Sequence, residues 1–581
     1  MNLTRKHISG RCVSAVAIVF AFLATSSAVF AQTAPIADRL SPNTVVSVEW
    51  HGSAFLAGAD KKNHVLQLLE DPTLAPFWTA VTNRLQQNAK KSPNLNSGVV
   101  LSDLISLLEN PAVFGVSVDA DAAKSSSPED VGKQFGIFGV YDATGKTGLI
   151  QKWKSMSATT GGQSAGVTNY DFGGTQVEVR TSGKDTSYSA QVSSYFLYAN
   201  RKQIMEDLIS RFRASGRPAA SLSQLPAYQE MRKYMGAGDA LEFFARIPDV
   251  SQWNIPALPN QAGEQLASNL HLEKIHALGF GVSFAGEATR LRAAALGDTS
   301  PPGVFDLASS SQSVFQTQNV VNGSSTFSMT RFDLAAAYKW IRGVAVASAP
   351  PEQAAAIPAL EAMGQNFLGM PIPDALALLT GEIASVSTYS DDGAATQLFA
   401  ATIQKPEAIL RILRAVLGDK IAAEDSSGST TYLDIAFPST DPKSGAQRKT
   451  FYYAAVTPDL ILAAPKKALL RQAVERLAGQ TSASPAAGIF ANPEYSSTRS
   501  RLPGKLSGLS GTDLTQIPWA AFLAHYGDQL AQAGKKTNGS QPPDMSWLKL
   551  LKPEVITQHL HMTLGGWWKD SSGVYFDSYI Q

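Results

Sequence analysis

The most specific chemical pattern in the chain is His559-x-His561, two imidazoles one residue apart. On a β-strand, side chains at that spacing project to the same face, where they could share a metal ion. Two ligands do not complete a site. His525 or a carboxylate would have to join from a distance, so the spacing describes two histidines on a half-exposed strand, and no metal ligand is assigned. Gly162-Gln163-Ser164-Ala165-Gly166 carries the letters of a nucleophile elbow. That motif works only where a strand turns sharply into a helix and exposes the serine. Residues 155–161 are polar and glycine-rich and residues 167–170 are not helical, so a flexible loop is expected around Ser164. Gly139 to Gly145-Lys146-Thr147 resembles a phosphate-binding loop, but five residues separate the glycines where the motif needs four. A plain strand-to-helix turn is the better reading.

Three acidic pairs, Glu129-Asp130, Asp391-Asp392 and Glu424-Asp425, could in principle serve glycoside hydrolysis. That chemistry needs two carboxylates at a set separation across a cleft, whereas these pairs read as solvated loops. Trp567-Trp568 is different in kind. Neighbouring strand residues face opposite sides of a sheet, so one indole can be core while the other faces out; an outward indole could mark a binding face, but packing beneath a loop or helix is the better reading. No catalytic, cofactor-binding or metal-binding residue is assigned from the sequence, and no cofactor is expected.

The elements that would position these residues repeat. The run 195–202 and the run 460–467 are each strand-like and end in two basic residues. Each enters a helical pattern, with Ile204, Leu208 and Phe212 in the first and Leu470, Val474 and Leu477 in the second. Residues 103–108 match 374–379, 135–140 match 397–402, and 276–281 match 561–566, all in the same order at offsets of about 260 to 285. The fold expected is α+β: two tandem duplicated units, each with a mostly antiparallel sheet and packed amphipathic helices. Their bounds are 32–300 and 326–581, with 301–325 as a Ser-, Pro- and Gly-rich linker. Strands are expected at 44–50, 135–141, 175–180, 277–284, 289–296, 326–332, 562–568 and 574–580. A helix is expected from Asp71-Pro72 onward, with Phe77, Trp78, Val81 and Leu85 on one face, and another from Pro406 to Gly418.

Residues 1–31 read as a secretory signal peptide. Arg5, Lys6 and Arg11 precede an apolar run of about 13 residues that ends before Val29-Phe30-Ala31, with cleavage after Ala31. That run is shorter than the roughly 20 residues a membrane-spanning helix needs. Cys12 is the only cysteine, so the processed chain has no thiol chemistry, disulfide or thiolate metal site. Removing the leader takes three basic residues from 49 and none from the 48 acidic ones, leaving a charge near −2. Such a chain has no electrostatic footprint for nucleic acid. No later apolar run is long enough to span a bilayer. The helices, together with the lack of a long series of alternating strands, argue against an outer-membrane barrel.

Leu40-Ser41-Pro42-Asn43-Thr44-Val45-Val46, followed by Asp71-Pro72, resembles the opening of a family of uncharacterised exported bacterial proteins, a domain of unknown function. The resemblance implies a periplasmic or secreted location and no activity. The expectation is an exported, non-catalytic envelope protein acting by protein or surface interactions. The alternative is a carrier for an apolar ligand held in a cavity between the units. A third reading is a hydrolase whose site is dispersed along the chain, with His525, His559 or His561 beside a carboxylate or serine.

Overall fold

The computed structural model describes residues 36–53, 56, 61–91, 106–118, 135–151, 166–182, 185–218, 220–235, 239–246, 271–300, 305, 314–321, 324–440, 447–479, 489–525 and 550–581. Residues 1–31, Ser164 and Glu129-Asp130 lie outside these residues. The protein is mixed helix and antiparallel sheet. In chain order the first ten strands are β1 (Thr44–Trp50), β2 (Ala112–Val118), β3 (Phe135–Asp142), β4 (Gly166–Phe172), β5 (Thr175–Ser182), β6 (Asp185–Val192), β7 (Tyr195–Ala199), β8 (Asp239–Arg246), β9 (Ile275–Ser283) and β10 (Thr289–Gly297). The next ten are β11 (Thr326–Arg331), β12 (Leu379–Tyr389), β13 (Ala395–Ile403), β14 (Ile421–Ser427), β15 (Thr430–Thr440), β16 (Gln447–Val456), β17 (Leu460–Ala464), β18 (Gly508–Asp513), β19 (Met562–Lys569) and β20 (Gly573–Ile580).

All twenty pair antiparallel into one sheet. Its first half runs β4-β5-β6-β7-β3-β2-β1-β8-β9-β10. Its second half continues β20-β19-β18-β11-β12-β13-β17-β16-β15-β14. The join is an antiparallel pair between β10 and β20, in register from Thr289 opposite Ile580 to Leu296 opposite Gly573. The expected strands are present, but the sheet is far larger than the periodicity suggested. β4 and β14 carry many polar residues on both faces (β14 is exposed along six of its seven residues), and such strands lack the alternation by which a half-buried strand is recognised. The premise that the chain holds no long series of strands is therefore corrected. Among the described residues the pairings leave β4 and β14 as edges.

Helices pack against this sheet, most of them over the face that holds the two main cores, while His64–Glu70 packs with Trp50, Val282 and Ile580 at one end of the other face. They are α1 (His64–Glu70), α2 (Ala75–Lys91), α3 (Lys202–Arg213), α4 (Pro226–Met235), α5 (Leu334–Ser348), α6 (Pro351–Leu368), α7 (Ile372–Ala377), α8 (Pro406–Leu417), α9 (Lys467–Leu477), α10 (Pro493–Arg499) and α11 (Pro553–His559). Asp71 accepts from Thr73 N, with Pro72 opening the turn behind it, as the sequence implies. Gly418 closes α8 at φ 49°. The main core of the first half lies between α3, α4 and the sheet, around Met205, Ile209, Met231 and Phe138. That of the second lies around Phe327, Met329, Leu462 and Leu470. Residues 314–321 and 324–325 are packed into the second half. Phe315, Val320 and Val321 are buried, and Glu382, held by Arg331, accepts from Thr317 N at 2.6 Å.

α4 lies so close to the sheet because β9 offers it no side chains. A Cβ at Gly279 would strike Met231, and one at Gly281 would strike Asp239 and Met235. The bulk of β9, Leu278 and Phe280, therefore points to the other face. No helix of the described residues is long and apolar enough to cross a membrane.

Candidate functional site

Beneath α4 the sheet buries a row of ionisable groups. Glu49 on β1 is directly opposite Glu242 on β8. Arg292 on β10 is directly opposite Asp577 on β20, two strands further on. Arg232 of α4 donates to Glu242, and His51 Nε2 lies 3.5 Å from the same carboxylate. Burial raises the Glu49 carboxyl above its ordinary value, only partly offset by His51 and Arg232. Burial works against the charged form of Glu242 too, but its bonds to His51 and Arg232 outweigh that and lower its pKa. For His51, burial is overcome by the Glu242 hydrogen bond and the Glu49 charge, and the net shift is upward.

Glu49, His51 and Glu242 place three ligand-type atoms within 4.8 Å of one another, a donor set that suits a divalent cation. The guanidinium of Arg232 already supplies the positive charge there, and the adjoining cavity is only ≈ 10 Å³. The arrangement is a self-neutralised network that fixes α4 to the sheet. The sequence analysis missed it. One signal was present: Glu49 shares the inward parity of Val45 and Ser47. Its partners become visible only once β8 is in register.

The His559-x-His561 expectation is corrected. His559 is the last residue of α11, and His561 precedes β19, so the two do not share a strand face. The helix ends there because Leu560 turns extended and donates its N–H back to Ile556. His559 Nε2 instead pairs with Asp71 Oδ2 at 3.0 Å. His64 Nδ1 meets the His559 carbonyl at 2.9 Å, and the His64 ring lies edge-on to His561 at 5.5 Å. This ties α1 of the first half to α11 of the second. Asp71, bonded first by Thr73 and then by His559, is lowered to about 2. His525 is exposed.

Lys146 is held by Glu109 and by Ser106 Oγ at 2.8 Å, and Gly145 at φ 71° makes an ordinary strand-to-helix turn. Asp392 caps the β12–β13 turn, accepting from Ser390 Oγ at 2.5 Å. Glu424-Asp425 is not in a loop but on the exposed edge strand β14, where Glu424 pairs with Arg414 at 2.5 Å. Trp568 packs into the core, stacked on Tyr575 at 5.6 Å. Trp567 faces the other side, close over Gly508, with Phe332 at 6.2 Å.

That other side is the notable surface. Direct cross-strand partners run Phe114, Val48, Phe243, Phe280, Ala293, Phe576 and Trp567 across β2, β1, β8, β9, β10, β20 and β19. Phe114 is 59% exposed, Ile137 beside it 55%, and Leu278 and Phe280 37% each. In the second half the same face turns polar: Ser385, Ser328, Ser510, Gly565 and Ser578 are successive cross-strand partners. They floor a shallow depression of ≈ 220 Å³. The row is half-buried at Val48, Phe243, Ala293, Phe576 and Trp567 and exposed at Phe114 and Phe280, and an exposed apolar patch on a protein surface marks a contact site. The Trp567-Trp568 pair in the sequence leaves open which indole faces out, and the row to which Trp567 belongs is not visible there.

No family model and no curated protein matches the chain. Among solved structures, crystal form I of TP0453 aligns over 47% of this chain and 82% of its own, at 10% identity and a TM-score of 0.21. A likeness that weak carries no argument.

Proposed function

We propose that this chain is an exported, non-catalytic bacterial envelope protein that acts by interaction, holding an apolar partner surface against the open face of its sheet. The aromatic row from Phe114 to Trp567 is the observation that carries this reading. Side chains of this size are costly to leave in water, at ~25 cal/mol per Å² of apolar area. The export half of the proposal rests on the leader pattern of residues 1–31 and on the resemblance to exported bacterial proteins. We further propose that the two units arose by duplication. The strand order repeats with β1–β10 and β11–β20 in the same places, which supports that view.

The carrier reading has less support. It wants an enclosed apolar cavity between the units, whereas β10 and β20 join them edge to edge. Intact-mass spectrometry on the protein recovered from an exporting bacterial host tests both parts. The expected result is a chain beginning at Gln32 with no adduct before or after solvent extraction. A stoichiometric apolar molecule that leaves on extraction would replace the interaction reading with the carrier. A chain still beginning at Met1 would refute export by cleavage.

A further inference from the structure

Beyond the open sheet face, the second half displays a helical hairpin that is packed on one side by α7 and α8 and leaves a flank of α6 exposed. α5 and α6 follow β11 in the place where α1 and α2 follow β1. The first-half helices bury Val65, Leu66, Leu69, Phe77 and Val81. Among the described residues of α5 and α6, none is buried. The two helices hold each other through Glu361, which accepts from Arg342 Nε at 2.5 Å and from Tyr338 Oη at 2.6 Å. With these charges paired internally, the hairpin shows a neutral, apolar flank. Leu360, Met363 and Phe367 are 62%, 67% and 56% exposed, and Ile341 on α5 is 59% exposed. Ala356, Leu360, Met363 and Phe367 follow one another at steps of four, three and four, the spacing of a helix–helix seam.

We infer that this hairpin is a self-association element, which packs α6 against α6 of a second copy of this chain to form a four-helix bundle about a twofold axis. Area supports that occupant. The four large exposed side chains offer roughly 450–500 Å² per copy. The exposed Ala355, Ala356, Ala359 and Ala362 bring this towards the ~800 Å² per partner of a standard interface. A twofold brings the stripe onto itself, and with no charge in the stripe two copies meet without repulsion. A lipid surface is the poorer fit. Helices that lie in a bilayer interface carry Lys and Arg on the polar face, whereas the polar side of α6 holds Glu352, Gln353, Gln365 and Asn366 and no basic residue.

Sedimentation velocity on the processed chain between about 1 and 100 µM tests the inference. The expected result is a dimer that Leu360→Glu with Met363→Glu converts to monomer, with far-UV circular dichroism unchanged. In the cysteine-free processed chain, Met363→Cys should give a disulfide-linked dimer on mild oxidation. A wild-type monomer across the range overturns the inference. So does a dimer that survives the double substitution, or a Met363→Cys chain that does not cross-link. Monomer that co-sediments with phosphatidylcholine vesicles, and loses this in the double variant, overturns it in favour of a membrane. None of these outcomes depends on what binds the open sheet face.

Discussion

Glu49 and Glu242 are cross-strand partners, two buried carboxylates facing each other with Arg232 and His51 beside them. Like charges directly opposite on a sheet repel, so the pair is tolerable only with Arg232 in place. Arg232→Met should therefore be far more damaging than its 23% side-chain exposure suggests. Removing one partner of a buried ion pair typically costs 3–5 kcal/mol, and a loss of about that size is expected in urea unfolding. Adding Glu242→Gln should restore part of it. No recovery in the double variant would show that Arg232 acts by packing alone.

Three buried groups with raised pKa, Asp239, Glu49 and His51, give stability that falls as pH rises. Burial raises Asp239 from 3.8 to about 6 against the pull of Arg292. The folded chain therefore binds more protons than the unfolded one between those values. Stability from this group is full below 3.8 and is lost as pH rises through about 6. His51, raised above 6.5, adds a loss of the same sign at higher pH. Asp239→Asn should flatten the first limb when urea midpoints are compared at pH 4, 5, 6 and 7. An unchanged slope would contradict the assignment.

The seam between the halves carries its own charge pair. Arg290 on β10 donates to both oxygens of Asp577 on β20, with Nε at 2.8 Å and Nη2 at 2.5 Å. Asp577 is buried, so Asp577→Ala leaves Arg290 without its partner and Arg292 without its cross-strand neighbour. A loss of about 3–5 kcal/mol is expected, read as a lower unfolding midpoint. A cost below about 1 kcal/mol would show that the β10–β20 ladder holds the halves together without these charges.

Trp567 and Trp568 should separate cleanly. Trp568→Ala removes a ring stacked against Tyr575 and packed near Tyr234. It should cost about 3–5 kcal/mol, as large-to-small core changes do. Trp567→Ala acts on the open face and should cost under ~2 kcal/mol. Equal losses in thermal unfolding would place both indoles in the core.

These contrasts show what the sequence could and could not carry. Strands such as Ile275–Ser283 and Thr289–Gly297, and helices with punctuation such as Pro406 and Gly418, are legible because local period and capping decide them. The offset pairs, such as 195–202 with 460–467, fall on matching strands and helices. The face assignments are not legible. The glycines of β9 look like weak strand positions until α4 is seen to need their space. His559-x-His561 reads as a strand pair because the short helix Pro553–His559 has too few turns to show its period. The aromatic row and the Glu49–Glu242 pair exist only in the register between distant strands, which no single stretch of sequence encodes.

Site-specific photo-cross-linking in exporting bacteria decides whether the open face is a contact surface. A benzophenone-bearing residue would replace Phe114, Phe280 or, on the polar part of the same face, Ser328. The account predicts a discrete adduct at 114 and 280, of one and the same mass, and none at 328. Absence of adduct at both aromatic positions, or equal labelling at all three, would contradict it.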